Sequence, residues 1–148
     1  MGRGALLLGL LLGAAACRPE PAPLRVAIHS APIGWDPHLS NESLTSALLA
    51  NVYDGLTEFD EELRLRPALA ASWRNPDERT WVFTLRPSVR FHDGRPLGAE
   101  DVVASLERAR RSPGSGVASY LVEVESVRAA GPSTVEVRTF RPFAALLA

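Results

Sequence analysis

The sequence predicts a mixed α/β layer, and three features carry that expectation. The first is a strand: Trp81, Phe83 and Leu85 alternate with Val82 and Thr84, so one face of a pleated backbone is apolar. The second is a helix from about Ala99 to Arg110. Glu100 and Asp101 stand in its first turn and Arg108, Arg110 and Arg111 at its end, which complements the helix dipole. Its stripe of Val102, Val103, Leu106 and Ala109 is the face to be buried. The third is punctuation, with turn residues at Asn75-Pro76-Asp77, His92-Asp93-Gly94, Ser112–Gly116 and Gly131-Pro132-Ser133.

The remaining elements follow in chain order. Leu24, Val26 and Ile28 alternate with Arg25 and Ala27, as in a first strand. Trp35-Asp36-Pro37-His38 is a loop, because proline pushes Asp36 out of helical geometry. A helix is expected from Glu42 to Tyr53, with Leu44, Ala47, Leu48 and Val52 on its apolar face and Asp54-Gly55 closing it. A short strand, Leu56–Phe59, leads to an acidic turn at Asp60-Glu61-Glu62. Pro67 is placed to start a short helix through Ala71 that ends near Trp73. The strand at Trp81 continues through Val89-Arg90-Phe91 into a tight turn, where Gly94 supplies a positive φ. Two further strands lie near Leu121–Val127 and Val135–Thr139. Pro142 to Ala148 reads as the first turn of an apolar helix with neither polar face nor cap, the mark of a fragment.

Composition limits the function. The chain has 148 residues, a formal net charge of -1 and 46% hydrophobic residues, which suits one ordinary globular domain. Near-neutral charge supplies no field for nucleic acid, and none is expected as a partner. The three histidines, His29, His38 and His92, fall in a strand end and two separate turns, with no pair at ligand spacing. No metal, no cofactor and no catalytic constellation is expected, so the chain does not read as an enzyme. Asp60-Glu61-Glu62 reads as a solvated turn.

The beginning of the chain has its own logic. Arg3 carries one positive charge, Ala5 to Leu12 is aliphatic, and Gly13-Ala14-Ala15-Ala16 precedes Cys17, the single cysteine. A basic start, an apolar run too short to span a bilayer and a small-residue site describe a secretory signal over residues 1–16. Cys17 after that site resembles the lipobox of bacterial lipoproteins, with Ala14 where that pattern favours leucine. The resemblance implies a lipidated Cys17 and a membrane anchor. Residues 17–23 then form a proline-rich tether, stiff and extended, and the folded body occupies residues 24–148.

Five stretches in register resemble the extracytoplasmic solute-binding proteins of family 5, the oligopeptide-, dipeptide- and nickel-binding proteins of ABC importers. They are Trp35–His38, Asn51–Leu56, Pro67–Trp73, Trp81–Gly94 and Ala99–Leu106. The resemblance implies a two-lobed periplasmic-binding-protein fold of which the N-terminal portion is present. It also implies a monomer at the outer face of the membrane or in the periplasm, which captures short peptides and hands them to ABC transporter permease subunits. Within the family, nickel chelates, haem or other small solutes are the alternative ligands; outside it, the alternative is a short lipid-anchored interaction module. Two segments lie where relatives contact ligand: Ser40, Asn41, Glu42 and Ser43 ahead of the first helix, and Tyr120. The structural alternative for Ser40 and Asn41 is helix capping, and for Tyr120 half-buried packing.

Overall fold

The computed structural model describes residues 23–147, so the signal over residues 1–16, Cys17 and the tether up to residue 22 lie outside the described residues. The chain divides into two units, Met1–Ala31 and Pro32–Ala148. In the first, residues 24–28 are assigned no strand. The alternation is present, but an extended stretch becomes a strand only when its N–H and C=O groups join a ladder, and none of the pairings includes these residues.

The second unit holds all the regular elements among the described residues. They are α1 (Ser43–Leu49), β1 (Thr57–Phe59), β2 (Leu65–Pro67), β3 (Ala70–Asp77), β4 (Thr80–Leu85), α2 (Ala99–Arg111), β5 (Val124–Gly131) and β6 (Thr134–Thr139). Short 3-10 turns occupy Ala118–Leu121 and Ala144–Leu147. β1 and β2 make a small antiparallel hairpin, and β3-β4-β6-β5 make a four-stranded antiparallel sheet.

One face of that sheet is the core. Trp81 pairs across with Val137 and Phe83 with Val135, while Val127 and Ala129 oppose the same two valines from β5. These cross-strand rows bury Phe83, Leu85, Val124, Val135 and Val137 against Ala99 and Val102 of α2. Asp101 fixes the start of α2, its carboxylate accepting the Gly98 N–H at 2.8 Å. The expected stripe holds: Val102 and Ala109 are buried, and Val103 and Leu106 pack at the core margin.

Other expectations are corrected. The first helix is shorter than Glu42–Tyr53, ending at Leu49, and Thr45 and Leu49 are its buried residues while Ala47 and Val52 face outward. The reason is local: Ile33 N–H donates to the Thr45 hydroxyl at 3.1 Å, which turns that face inward. No helix starts at Pro67. Pro67 closes β2, and Ala70 opens β3, its N–H bonded to Leu56 O at 3.0 Å. Asn75-Pro76-Asp77 is not the turn but the bulged end of edge strand β3, where a proline is tolerated; the turn is Glu78-Arg79. The strand at Trp81 stops at Leu85, and Val89-Arg90-Phe91 belongs to a separate small loop bridged from Arg90 to Pro96. Gly94 has the expected positive φ, 85°. β5 begins at Val124 rather than Leu121, which lies in the preceding 3-10 turn. At the tail a 3-10 turn replaces the expected α-helix. Leu146 and Leu147 pack on the core, and the Thr57 hydroxyl donates to Leu147 O at 3.0 Å.

Candidate functional site

Two loops meet beside the C-terminal half of α2, and they carry the site residues expected from sequence. The first runs from Trp35 to Glu42 into α1; the second runs from Ser112 to Leu121. Gly116 joins them. Its N–H donates to His38 O at 3.0 Å, and a Cβ at this position would stand 2.8 Å from Leu39 O and 3.0 Å from the Ser40 Cα. Only a glycine lets the second backbone approach the first so closely. Ser115 reinforces the junction, its hydroxyl lying 3.1 Å from His38 O and 2.7 Å from Ala109 O.

Each predicted residue has a definite place. Asn41 and Tyr120 are brought together, the Asn41 amide donating to the Tyr120 hydroxyl at 3.4 Å. Tyr120 is 61% exposed, so it is a surface ring rather than a packing residue. Ser40 accepts the Glu42 N–H at 3.1 Å, a local turn rather than the helix cap. The cap is Glu42: its carboxylate accepts the N–H groups of Leu44 at 2.9 Å and Thr45 at 2.7 Å. Ser43 is the exposed first residue of α1. The rim therefore presents a hydroxyl, an amide and a phenol, together with the Glu42 carboxylate that caps α1, beside half-exposed Leu39.

Behind this rim stands a cluster that the sequence reading did not single out. Arg108 of α2 grips the Asp36 carboxylate with both terminal nitrogens, Nη1 donating to Oδ1 at 2.9 Å and Nη2 to Oδ2. The same Nη1 lies 2.7 Å from His38 Nδ1, and His38 Nε2 lies 3.3 Å from the Ser105 hydroxyl. An arginine has no acceptor, so Nδ1 must accept and the proton sits on Nε2, which donates to Ser105. The Arg108 hydrogen bonds, with the His38 backbone N–H, hold the Asp36 carboxyl well below the usual carboxylate range. Burial, then the Arg108 charge, pushes the His38 imidazole below its ordinary value. The signal in sequence was faint: Asp36 and His38 flank one proline, but their partner sits far along the chain on the exposed face of a helix.

The cluster is a fastener. Its carboxylate, guanidinium and imidazole are spent on one another, and the described residues hold no group of metal-ligating side chains. It holds two loops together so that their hydrogen-bonding groups lie along one rim.

Comparison with known proteins gives the class a family. The model of bacterial extracellular solute-binding proteins, family 5 Middle, matches residues 64–148. The chain belongs to this family, whose members are extracytoplasmic solute-binding proteins rather than enzymes. The glutathione-binding protein GsiB of Escherichia coli (strain K12) is 30% identical over 136 residues, 90% of this chain and 26% of that protein. NikZ from Campylobacter jejuni, solved in complex with Ni(L-His), superposes with a TM-score of 0.73 and 32% identity, over 80% of this chain and 24% of that one. OppA of Haemophilus influenzae, in complex with RPPGFSPFR, gives a TM-score of 0.70 and 30% identity over 78% of this chain and 26% of that one. The fold is thus that of the two-lobed periplasmic binding proteins, and the chain spans about a quarter of their length.

Proposed function

We propose that the protein is a solute-binding lipoprotein that captures short peptides outside the cytoplasm and delivers them to the permease subunits of an ABC importer. The observation that carries the proposal is the family match over residues 64–148. The peptide class is supported by the rim: Ser40, Asn41 and Tyr120 offer neutral donors and acceptors that suit the amides and carbonyls of an extended chain, whatever its side chains. It is supported as well by relatives named for, or solved with, peptide ligands. Closure of two lobes about the solute would give the importer a loaded form to recognise. Lipidation of Cys17 would hold the protein at the membrane, since each buried methylene of an acyl chain contributes about 0.8 kcal/mol.

A second ligand reading, a nickel chelate, is favoured by the likeness to NikZ. Calorimetry on protein expressed from the complete reading frame separates the two, using a library of short peptides, glutathione and Ni(L-His). Peptide binding is expected; binding of the nickel chelate alone would transfer the protein to the second reading, and no binding to any would overturn both. Mass spectrometry of membrane-extracted protein should find diacylglycerol on Cys17, and Cys17→Ser should move the protein to the soluble fraction. Unmodified Cys17 within a longer mature chain would remove the anchor.

A further inference from the structure

We propose that Asp36, His38 and Arg108 form a clasp that positions the Ser40–Ser43 rim and Tyr120 for solute, and that the clasp closes only while His38 is neutral. Protonating His38 then loosens the rim and weakens capture. The inference rests on reading this rim as a solute-binding edge.

The geometry carries it. Arg108 contacts both Asp36 and His38, one helix side chain holding two positions of the same loop. At 2.7 Å, the His38 Nδ1 lone pair is the acceptor for a guanidinium that can only donate. A proton on Nδ1 would set two cations at hydrogen-bond distance, and the pair must separate. Movement of His38 is transmitted at once, because its carbonyl accepts the Gly116 N–H at 3.0 Å and lies 3.1 Å from the Ser115 hydroxyl, which also reaches Ala109 O at 2.7 Å. These contacts tie the Ser40–Ser43 loop to the loop that carries Tyr120.

The groups facing His38 are Arg108 and the uncharged Ser105 from α2, uncharged Ser115 from the following loop, and Asp36 from its own loop. Burial opposes protonation most, the Arg108 charge adds to that opposition and Asp36 favours protonation; the net direction is downward from 6.5. A depressed imidazole binds fewer protons folded than unfolded below 6.5. The clasp's contribution is therefore complete above that pH and is lost as pH falls through the lower folded value. Asp36 stays ionised across this window, its carboxyl being held below the usual range, so His38 is the titrating member.

The test uses protein from the complete reading frame, wild type beside His38→Gln and Arg108→Lys. Hydrogen exchange is measured by mass spectrometry over residues 36–43 at about pH 7.5 and about pH 4.5. Comparing proteins at matched pH cancels the intrinsic rate. If protonation cuts the competent fraction to about a fifth, the ratio of wild-type to His38→Gln exchange rises about five-fold between the two pH values. A constant ratio overturns the proposal. Arg108→Lys, which cannot hold Asp36 in a two-pronged grip, should loosen the same segment at both pH values while circular dichroism stays native. Unchanged protection there would also overturn it. With the peptide found by calorimetry, the low-pH to neutral-pH ratio of Kd should be about five for wild type and about one for His38→Gln, whatever the latter's absolute affinity. Equal ratios would refute the coupling. Should no peptide bind, the functional reading fails, and the exchange ratio still decides the clasp.

Discussion

Gly116 is fixed by the backbone opposite it, and Gly94 by its own φ, so the two glycines make different predictions. At Gly116 a methyl group would meet Leu39 O at 2.8 Å and the Ser40 Cα at 3.0 Å, backbone atoms that cannot rotate aside. Gly116→Ala should destabilise by about 1–3 kcal/mol and part Asn41 from Tyr120. At Gly94 nothing stands within 4 Å, but φ is 85°. Gly94→Val should cost about 1–3 kcal/mol, and Gly94→Asn, which tolerates the left-handed region, much less. Gly34→Ala, in open space, should stay within about 0.5 kcal/mol. Denaturant melts check the set; equal losses at Gly34 and Gly116 would refute the close-approach argument. The two positions also differ in legibility. A His-Asp-Gly announces its turn locally, whereas the need for Gly116 depends on Leu39 and Ser40, residues no local pattern connects to it. Arg108 was hidden for the same reason: at a helix end it reads as a dipole partner, and its grip on Asp36 exists only after folding.

At the scale of elements, α2 and β4 were legible because their causes are local. Charge order and a 3.6 period define the one, and a two-residue period the other. β3 was not. Pro67-Ala68-Leu69-Ala70-Ala71 has the composition of a helix start, yet Ala70 is fully buried in the sheet and Arg86 N–H donates to Leu69 O at 2.9 Å. Ladder bonds and burial outweigh propensity differences of a few tenths of a kcal/mol per residue. The acidic turn between β1 and β2 reads from sequence as solvated, and its organiser is Asp60. That carboxylate accepts the backbone N–H groups of Glu62 at 3.1 Å and Arg64 at 2.8 Å and pairs with the Arg64 and Arg66 side chains, an assignment only the fold supplies. The turn bends through Leu63, a non-glycine at φ 58° whose side chain is 79% exposed. The left-handed region costs such a residue about 1–2 kcal/mol, more than the entropy a glycine adds to the unfolded chain. Leu63→Gly should therefore stabilise by about 0.5–1 kcal/mol, read as a higher Tm with unchanged m-value. A lower Tm would mean that the Leu63 side chain contributes contacts its exposure hides.

At the scale of the molecule, the second unit makes one self-contained core, with the proposed binding rim on its outside. Phe83, Val124, Val135 and Val137 are closed over by α2, and the tail residues Leu146 and Leu147 add to the same core. The unit therefore has the means to fold, but on the proposed reading it offers solute a single wall. The ligand-holding relatives are about three times as long, 80% of this chain covering 24% of NikZ and 78% of it covering 26% of OppA. On a single wall the polar groups of a peptide stay hydrated, and each hydrogen bond to Ser40, Asn41 or Tyr120 contributes only about 1 kcal/mol net. Ordering a flexible peptide costs several kcal/mol, so a few such bonds leave little surplus. A second wall that excludes water and adds its own bonds need contribute only about 3 kcal/mol to raise affinity about 100-fold. The 148-residue chain should accordingly bind the peptide at least about 100-fold more weakly than protein from the complete reading frame, while its circular dichroism shows a folded α/β domain. Calorimetry on the two side by side measures the ratio. Comparable affinity would show that the rim of Ser40–Ser43 and Tyr120 is a complete site, and the case for an enclosing second lobe would fail.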